Sequence, residues 1–530
     1  MLTSTRWRHH ELGPAGRLSV RGDTRVDQAL VAAARGTGLT PQLLRRVDGH
    51  FGAVLHGPES VQLVADPLRS FPLLYLPETG RSSDDGLLLA AGLEPDPAAA
   101  FEFAHVGYVG GTDTLFRGMR QVLAGQVVTL RPGQAPQGTM FRREIFTGPE
   151  SGDEPDEAFD AALAATMDRM LQGLDGRQLV LPLSGGWDSR LLLCHLKDVG
   201  YDNVVTFTYG TGDTPEVRIS RDVAEAVGVP WLFVAYEQAA VREAWRSAET
   251  ARFLRFGSGG VSLPHIQDWY AVRALVRDEL IEPDAVFLPG HTVVGNMHDE
   301  QILDLPTVGR DRIRELIIRN HHCIGPGVKQ VLADRRMREV IGEFLDDIDY
   351  DDSVNARRTA IEYWNLRERQ AKYINNSMRG YEFFGHDWAL PMLDTQMYRL
   401  WTELPVPFTR NRDWYGRYVA RRYLATTGRQ LGTFTTGPSN ARRALVRTVL
   451  DRTGLLTTAE RALRWRAIRS HPMGFNWFGF DRSAGELFAT VMRGGTPMGL
   501  WARSFLAGTW HPAGATLRPG LPGEPNPYRG

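Results

Sequence analysis

One short stretch of the chain, Leu-Ser-Gly-Gly-Trp-Asp-Ser, carries the side chains best suited to chemistry. The hydroxyls of Ser184 and Ser189 can donate hydrogen bonds to an anion. The absent side chains of Gly185 and Gly186 let that anion reach the backbone N–H groups. The carboxylate of Asp188 can hold Mg²⁺ against bound phosphates. This spacing predicts a site for phosphate groups, with Mg²⁺ at Asp188.

The loop needs a strand before it and a helix after it if its N–H groups are to converge. The apolar run that ends at Leu183 has the composition of a buried parallel strand, and residues 189–197 are predicted to be helical. A helix N-terminus at this point adds the positive end of the helix dipole. Serine and glycine also fill ordinary strand-to-helix turns. Here all the residues of Ser-Gly-Gly-x-Asp-Ser suit phosphate binding and lie between a strand and a helix, which favours an anion site.

Strand and helix patterns alternate after residue 157. Apolar runs at 204–208, 231–234 and 285–288 are predicted to be further buried strands, and the chain beyond residue 310 is predicted to be mostly helical. This alternation predicts an α/β fold with a doubly wound parallel sheet, which binds ligands at the carboxyl ends of its strands.

The first part of the chain has short alternating segments broken by Gly, Pro and Asp. Candidate strands at 51–55, 61–65 and 126–130 predict antiparallel β structure, and residues 147–156 have the composition of a linker. We therefore predict four parts: an antiparallel β domain at 1–146, a parallel-sheet domain at 157–430, a helical extension at 431–510 and a flexible tail at 511–530.

Composition narrows the classes of partner. The 530 residues include 61 basic and 62 acidic side chains, so no net field attracts nucleic acid or an anionic membrane. The two cysteines, Cys194 and Cys323, are too few for a disulfide framework or a four-thiolate metal site. No apolar run has the length of a bilayer span, and the N-terminus lacks a signal-peptide core. We expect a cytoplasmic protein without nucleic-acid or membrane partners.

The order of these parts resembles the asparagine synthetase family. The Ser-Gly-Gly-x-Asp-Ser loop resembles the pyrophosphate-binding loop of ATP pyrophosphatases, which cleave ATP to AMP and pyrophosphate. Residues 47–54, 66–75 and 385–394 are similar to three further family segments, with Arg69 in place of a glycine. The resemblance extends to about residue 425. It implies an α+β first domain of the Ntn-hydrolase (glutaminase-like) type, followed by an ATP-pyrophosphatase synthetase domain.

The first domain differs from the glutamine-hydrolysing members of that family. Those members use a cysteine exposed by removal of Met1 as their nucleophile. Here residue 2 is Leu, and no cysteine precedes Cys194. Thr3 could serve as a nucleophile only after removal of two residues. We therefore expect no glutaminase activity, as in the β-lactam synthetases and lasso-peptide cyclases of this family, whose nucleophile is an amine carried by a substrate.

The resemblance also implies residues that surround the nucleotide. Thr208 and Tyr209 end the strand after the loop, where the family lays adenine against the backbone. Gly290 is similar to a glycine of the family segment Ser-Gly-Glu-Gly-x-Asp-Glu, whose aspartate helps to bind magnesium pyrophosphate. In this chain no carboxylate follows until Asp299, so the second metal ligand stays open.

Two residues are candidates for the amide-forming step through the same resemblance. Asp387 falls on a glutamate that some members use to deprotonate the attacking amine, and Arg417 falls on a lysine that contacts the reacting centre. We expect both to face the cleft above the loop. The alternative for Arg417 is a surface arginine on a helix, and Asp394 has the position of a helix N-cap.

These features predict an ATP-dependent, AMP-forming amide ligase that uses ATP and Mg²⁺. It would adenylate a small-molecule or peptide carboxylate and transfer the acyl group to an amine or ammonia. We prefer amidation of a sugar acid or small metabolite over ring closure within one substrate. The alternatives are an intramolecular cyclase of the lactam or lasso type, a tRNA- or sulfur-modifying ATP pyrophosphatase, and a nucleotide-binding pseudoenzyme scaffold. A homodimer is one candidate oligomeric state.

Overall fold

The computed structural model describes residues 2–36, 38–295, 300–322, 324–325, 327–430, 456–470, 477–478 and 483–514. Asp299, Cys323, the start of the predicted extension and most of the predicted tail lie outside these residues. His511, at the start of that tail, is buried, and its Nε2 lies 2.8 Å from the Trp245 carbonyl oxygen. The described beginning of the predicted tail is therefore packed on the protein.

The first 140 residues form antiparallel β structure, as the sequence predicts. The strands are β1 (Arg8–Glu11), β2 (Arg17–Gly22), β3 (Phe51–His56), β4 (Val61–Ala65), β5 (Leu74–Tyr75), β6 (Ser82–Ser83), β7 (Arg120–Gln121), β8 (Gln126–Leu130) and β9 (Gln137–Met140). A six-stranded sheet has the order β1-β2-β3-β4-β8-β9, and a three-stranded sheet has the order β6-β5-β7.

Helices accompany these sheets, namely α1 (Thr24–Gly36), α2 (Pro41–Leu44), α3 (Gly86–Leu89) and α4 (Pro97–Val106). Helix α1 was not predicted, although Val26, Leu30 and Ala33 have helical spacing and are buried on one face. The alternating strands on either side of α1 were read as one antiparallel stretch, and the amphipathic segment between them was not separated from it.

The second part contains a five-stranded sheet in which every neighbouring pair is parallel. Its strands are β10 (Leu179–Pro182), β11 (Val204–Gly210), β12 (Trp231–Ala235), β13 (Val286–Phe287) and β14 (Asp387–Trp388). The spatial order is β12-β11-β10-β13-β14, so the strand order reverses between β10 and β13. In open α/β sheets such a switch point creates a crevice at the carboxyl ends of the strands.

Helices connect the strands and fill the rest of the described chain. They are α5 (Asp156–Leu174), α6 (Trp187–Asp198), α7 (Pro215–Val227), α8 (Gln238–Trp245), α9 (Ala248–Ser258), α10 (Trp269–Arg277), α11 (Arg310–His321), α12 (Val328–Ala333), α13 (Arg335–Asp347), α14 (Val354–Trp364), α15 (Met378–Phe383), α16 (Thr395–Glu403), α17 (Val406–Thr409), α18 (Asp413–Thr427), α19 (Leu456–Ser470), α20 (Ala484–Met492) and α21 (Pro497–Leu506). A π-helical segment, Asn365–Ile374, follows α14 directly. Short 3₁₀ turns occur at Gly13–Ala15, Glu300–Asp304, Asn375–Ser377 and Pro391–Leu393.

One hydrophobic core runs through both parts of the chain. Buried Leu74 and Phe103 of the antiparallel part belong to the same cluster as Leu181 and Phe287 of the parallel sheet. The predicted linker also contacts the second part, since the Thr147 N–H donates to the Thr402 carbonyl at 2.9 Å. The two parts are therefore packed together along a shared interior. Among the described helices, none is both long and apolar enough to cross a membrane.

Candidate active site

The loop between β10 and α6 leaves the N-terminus of α6 open. Gly186 is the N-cap residue, with φ −75° and ψ 171°, and no side chain among the described residues caps the helix. The Gly186 N–H donates to Ser184 Oγ at 3.2 Å, and Ser184 and Gly186 are both exposed. The Ser189 hydroxyl is buried without a hydrogen-bond partner in the described part of the chain. Free donors at a helix N-terminus form an anion site.

Hydrogen bonds to two loop carbonyls hold the loop in place. The Leu183 carbonyl accepts from the hydroxyls of Thr208 at 2.7 Å and Ser220 at 3.1 Å. The Gly185 carbonyl accepts from Arg190 Nη2 at 3.0 Å. Thr208, predicted as a nucleotide contact, thus uses its hydroxyl to fix the start of the loop.

Gly290 lies against the first turn of α6, across the switch point. A Cβ at this position would lie 3.0 Å from the Ser189 backbone nitrogen and 3.4 Å from the Asp188 Cβ. The structure therefore brings the residue after β13 together with the loop after β10. A side chain at position 290 would narrow the space in which phosphates are expected.

Tyr209 stands at the same edge of the sheet, near the end of β11. Its ring stacks on Tyr236, with centroids 5.1 Å apart and planes 19° apart. Burial raises the pKa of Tyr209, so the phenol is neutral at physiological pH. The pair forms a flat, neutral aromatic surface, and its contact with adenine stays a prediction.

Asp188 contacts an arginine that the sequence analysis did not identify. Nη2 of Arg412, the residue that precedes α18, lies 2.5 Å from Asp188 Oδ1. The Arg412 guanidinium also lies 5.4 Å from the Trp187 ring and 5.1 Å from the Tyr415 ring. Burial raises the pKa of Asp188, and the charge of Arg412 opposes that rise. A fixed positive charge is therefore held beside the loop.

The loop offers one carboxylate that could bind a metal ion, which is enough for a metal ion already bound to the phosphates of a nucleotide. Within the described residues, no group of three or more His, Cys, Asp or Glu side chains is placed to hold a metal ion. Asp188 supplies a single carboxylate, one oxygen of which contacts Arg412. Mg²⁺ that is bound mainly by phosphates needs only one or two protein carboxylates. Asp188 can therefore complete the coordination of a nucleotide-bound Mg²⁺.

Arg417 does not face the loop, so its predicted placement is wrong. Its side chain is 56% exposed and pairs with Glu154 at 2.9 Å. A Cβ at Gly416 would lie 2.6 Å from the Trp187 ring, so this face of α18 packs on α6. Arg417 lies on a different face of α18, and it is a surface arginine on a helix, which was the alternative prediction. No sequence signal separates Arg412 from the other arginines around it.

Asp387 lies at the opposite end of the sheet, so its predicted placement is also wrong. It pairs in register with Val286, which pairs with Leu179 at the start of β10. Ser184 is five positions after Leu179, and five steps of extended chain span about 16 Å. Asp387 lines a cavity of about 730 Å³ at this amino end of the sheet.

Two arginines hold the Asp387 carboxylate. Arg6 Nη1 lies 2.5 Å from Oδ1, and Arg177 Nη1 lies 2.8 Å from Oδ2. Burial alone would raise the pKa of Asp387, but the arginines outweigh burial and hold it below its usual value. Such a carboxylate is a weak proton acceptor. Asp394 caps α16 by accepting a hydrogen bond from the Gln396 N–H, as its position in the sequence predicts.

A cavity of about 380 Å³, here called the side cavity, opens next to the loop. Arg412 and His291, which adjoin Asp188 and Gly290 respectively, form its border with the loop. Its other walls come from residues 292–295, the end of α11, α14, the π-helical segment, α16 and the end of the antiparallel part. A ligand in this cavity would lie beside a nucleotide held at the loop.

Comparisons with known proteins give little further guidance. No family model matches the chain, and no curated protein matches it. Among solved structures, the chain is similar to an NH3-dependent NAD synthetase from Campylobacter jejuni, determined in complex with the nitrate ion, at 13% identity. The alignment covers 42% of this chain and 96% of that chain, with a TM-score of 0.22. A likeness at this level establishes neither fold nor function.

Proposed function

We propose that this protein is an ATP-dependent, AMP-forming amide ligase of the asparagine synthetase-like type. The observation that carries the proposal is the uncapped N-terminus of α6 behind Ser184–Ser189, at the switch point of a parallel sheet. Both the loop composition and this position suit the binding of nucleotide phosphates. Arg412 adds positive charge where phosphate charge would accumulate.

The proposed reaction has two steps. An oxygen of the substrate carboxylate attacks the α-phosphorus of ATP, the bond to the bridging oxygen breaks, and pyrophosphate leaves with the electron pair. The N–H groups of the loop, the Ser189 hydroxyl and Arg412 would hold the departing pyrophosphate, and this stabilisation is electrostatic. Bound Mg²⁺ would supply further positive charge at the phosphates. An amine then attacks the acyl carbon, and AMP leaves.

The proposed enzyme takes its nitrogen from a free amine or ammonia and not from glutamine. Residues 1–193 contain no cysteine that could serve as a glutaminase nucleophile. The Thr3 hydroxyl and backbone N–H both contact Asp84 Oδ1, at 3.0 Å and 2.6 Å. We therefore expect no release of glutamate from glutamine, with or without ATP.

Exchange of labelled pyrophosphate into ATP tests the first step across a library of carboxylates. We expect at least one small carboxylate to support exchange. Asp188→Asn should retain the fold and lose exchange, because the loop loses its charged metal ligand. The side cavity, at about 380 Å³, has room for one small-molecule substrate, either the carboxylate or the amine, and not for a peptide. If no carboxylate supports exchange while ATP still binds, the pseudoenzyme alternative replaces this proposal.

A further inference from the structure

The side cavity borders the candidate phosphate loop at two points. Arg412 lines the cavity and contacts Asp188, and His291 lines it and follows Gly290 in the chain. An acyl-adenylate formed at the loop would therefore present its reactive carbon close to this border. An amine bound in the side cavity would then already lie next to the acyl carbon that it attacks.

Buried polar atoms without partners are grouped around this cavity. Five of its lining residues have a buried side-chain nitrogen or oxygen that makes no hydrogen bond within the described part of the chain; the atoms are His291 Nδ1, Tyr363 Oη, Asn365 Oδ1, Trp401 Nε1 and Arg412 Nε. Native proteins leave few such groups unpaired unless water or a ligand satisfies them. Their grouping is typical of a cavity that holds water or a polar ligand, and the volume has room for a small polar molecule.

Glu362 brings a carboxyl group to the same cavity from α14. A Cβ on Gly295 would lie 2.3 Å from Glu362 Oε2, so the carboxyl group packs directly on the 291–295 loop. Its neighbour Arg358 is engaged elsewhere, since Nη1 donates to Asn355 at 2.7 Å and Nη2 to the Leu404 carbonyl at 3.1 Å. Glu362 thus faces the cavity without a close ion-pair partner among the described residues.

We propose that the side cavity binds the attacking amine, a small primary amine with hydroxyl or carboxylate groups, and that Glu362 accepts its proton. This inference rests on the proposed function. The amine nitrogen would attack the acyl carbon, the carbon–oxygen bond to AMP would break, and AMP would leave with the electron pair. The proton from nitrogen would pass to a Glu362 oxygen. Asn365 Oδ1 is a second acceptor for N–H, while Tyr363 and Trp401 are donors for substrate oxygen atoms.

The electrostatic surroundings of Glu362 suit this role. Burial raises the pKa of Glu362 to about 7, against the lowering effect of Arg358. A carboxyl group with this pKa can accept a proton near neutral pH. The other titratable or charged groups that face Glu362 or line the cavity are Glu144, His291, His321, Tyr363, Arg369, Tyr398 and Arg412. Burial lowers the pKa of His291 to about 4, so His291 is neutral in the same pH range.

The test separates adenylation from amide formation in Glu362→Gln, with the exposed Glu343→Gln of α13 as the matched control. Adenylation is read by pyrophosphate exchange with the best carboxylate of the library. Amide formation is read by AMP release with glycine, serine, glucosamine or ammonium chloride. We expect Glu362→Gln to keep exchange and to lose AMP release by about a hundredfold with the preferred amine. Hydroxylamine, which is nucleophilic without a base, should restore AMP release.

A measurement of stability gives a second readout that is independent of substrates. Because the folded-state pKa of Glu362 is raised, the folded protein binds more protons than the unfolded chain between about pH 4.5 and 7. The free energy of unfolding of the wild type should therefore fall, relative to Glu362→Gln, as pH rises through this range. Glu343→Gln should follow the wild type.

The outcomes distinguish this inference from the proposed function. Unchanged AMP release in Glu362→Gln overturns the role of Glu362. Loss of both exchange and AMP release also overturns it, because Glu362 would then serve adenylation or the fold. Equal use of all four amines overturns the cavity assignment. Absence of exchange in the wild type overturns the proposed function and this inference with it.

Discussion

Arg412 and Asp188 are the charged residues that meet at the candidate phosphate loop. The sequence identified Asp188, because the loop residues are adjacent in the chain and their chemistry can be read from their order. It did not identify Arg412, because two arginines five positions apart are equivalent in a sequence. Only the packing of Gly416 on Trp187 decides which one reaches the loop. The predicted position of Asp387 was wrong for a related reason. The residues next to Asp387 in the chain do not determine how β14 pairs with β13.

Replacement of Arg412 tests the chemistry at the residue scale. Arg412→Ala should lower the rate of pyrophosphate exchange by about a hundredfold, or ~2.7 kcal/mol, as for loss of one donor to a developing negative charge. Arg417→Ala is the matched control on the same segment and should leave exchange unchanged, because its side chain pairs with Glu154 at the surface. Circular dichroism checks that both variants fold. An equal loss in both variants would contradict the assignment.

The elements that position the site are β10, α6 and the end of β13. Four of the five parallel strands were predicted within two residues, because buried parallel strands are short apolar runs between breakers. The strand β14 was not predicted, since it has only two residues and they are Asp387 and Trp388. Its existence depends on pairing with β13 and not on local preference. Sequence patterns therefore located the loop and four of the strands, but not β14 or the order of the strands in the sheet.

The approach of β13 to α6 can be tested at Gly290. Gly290→Ala should raise the KM for ATP, because the added Cβ lies 3.0 Å from the Ser189 nitrogen and narrows the crevice. Gly173→Ala in α5 is the control, since a Cβ there meets nothing within 4 Å. The control should keep its KM and gain roughly 0.5–1 kcal/mol of stability. An unchanged KM in Gly290→Ala would mean that phosphates do not occupy this space.

At the scale of the whole molecule, a buried ion pair within the π-helical segment makes hydrogen bonds to the backbone of the antiparallel part. Lys372 Nζ lies 2.5 Å from Glu368 Oε2, and both side chains are fully buried. Lys372 also donates to the carbonyls of Val109 and Gly111, and the Gly111 N–H donates to Glu368. The sequence predicts a linker between the first two parts, whereas the shared core and this network pack them against each other.

Loss of Lys372 should destabilise the whole chain. Lys372→Met leaves the Glu368 charge buried without its closest partner, which costs about 3–5 kcal/mol. The exposed Lys197→Met is the control and should unfold like the wild type. Urea denaturation followed by circular dichroism and by tryptophan fluorescence measures both variants. Separate transitions for the two parts, or an unaffected midpoint in Lys372→Met, would show that they are not coupled through this pair.

The identity of the nucleotide products tests the central claim most directly. Phosphorus NMR of the reaction with ATP, Mg²⁺, the active carboxylate and an amine distinguishes AMP and pyrophosphate from ADP and phosphate. The account predicts equal amounts of AMP and pyrophosphate, formed only when the carboxylate is present and lost in Asp188→Asn. Formation of ADP and phosphate would contradict it, because the loop would then serve attack at the γ-phosphorus.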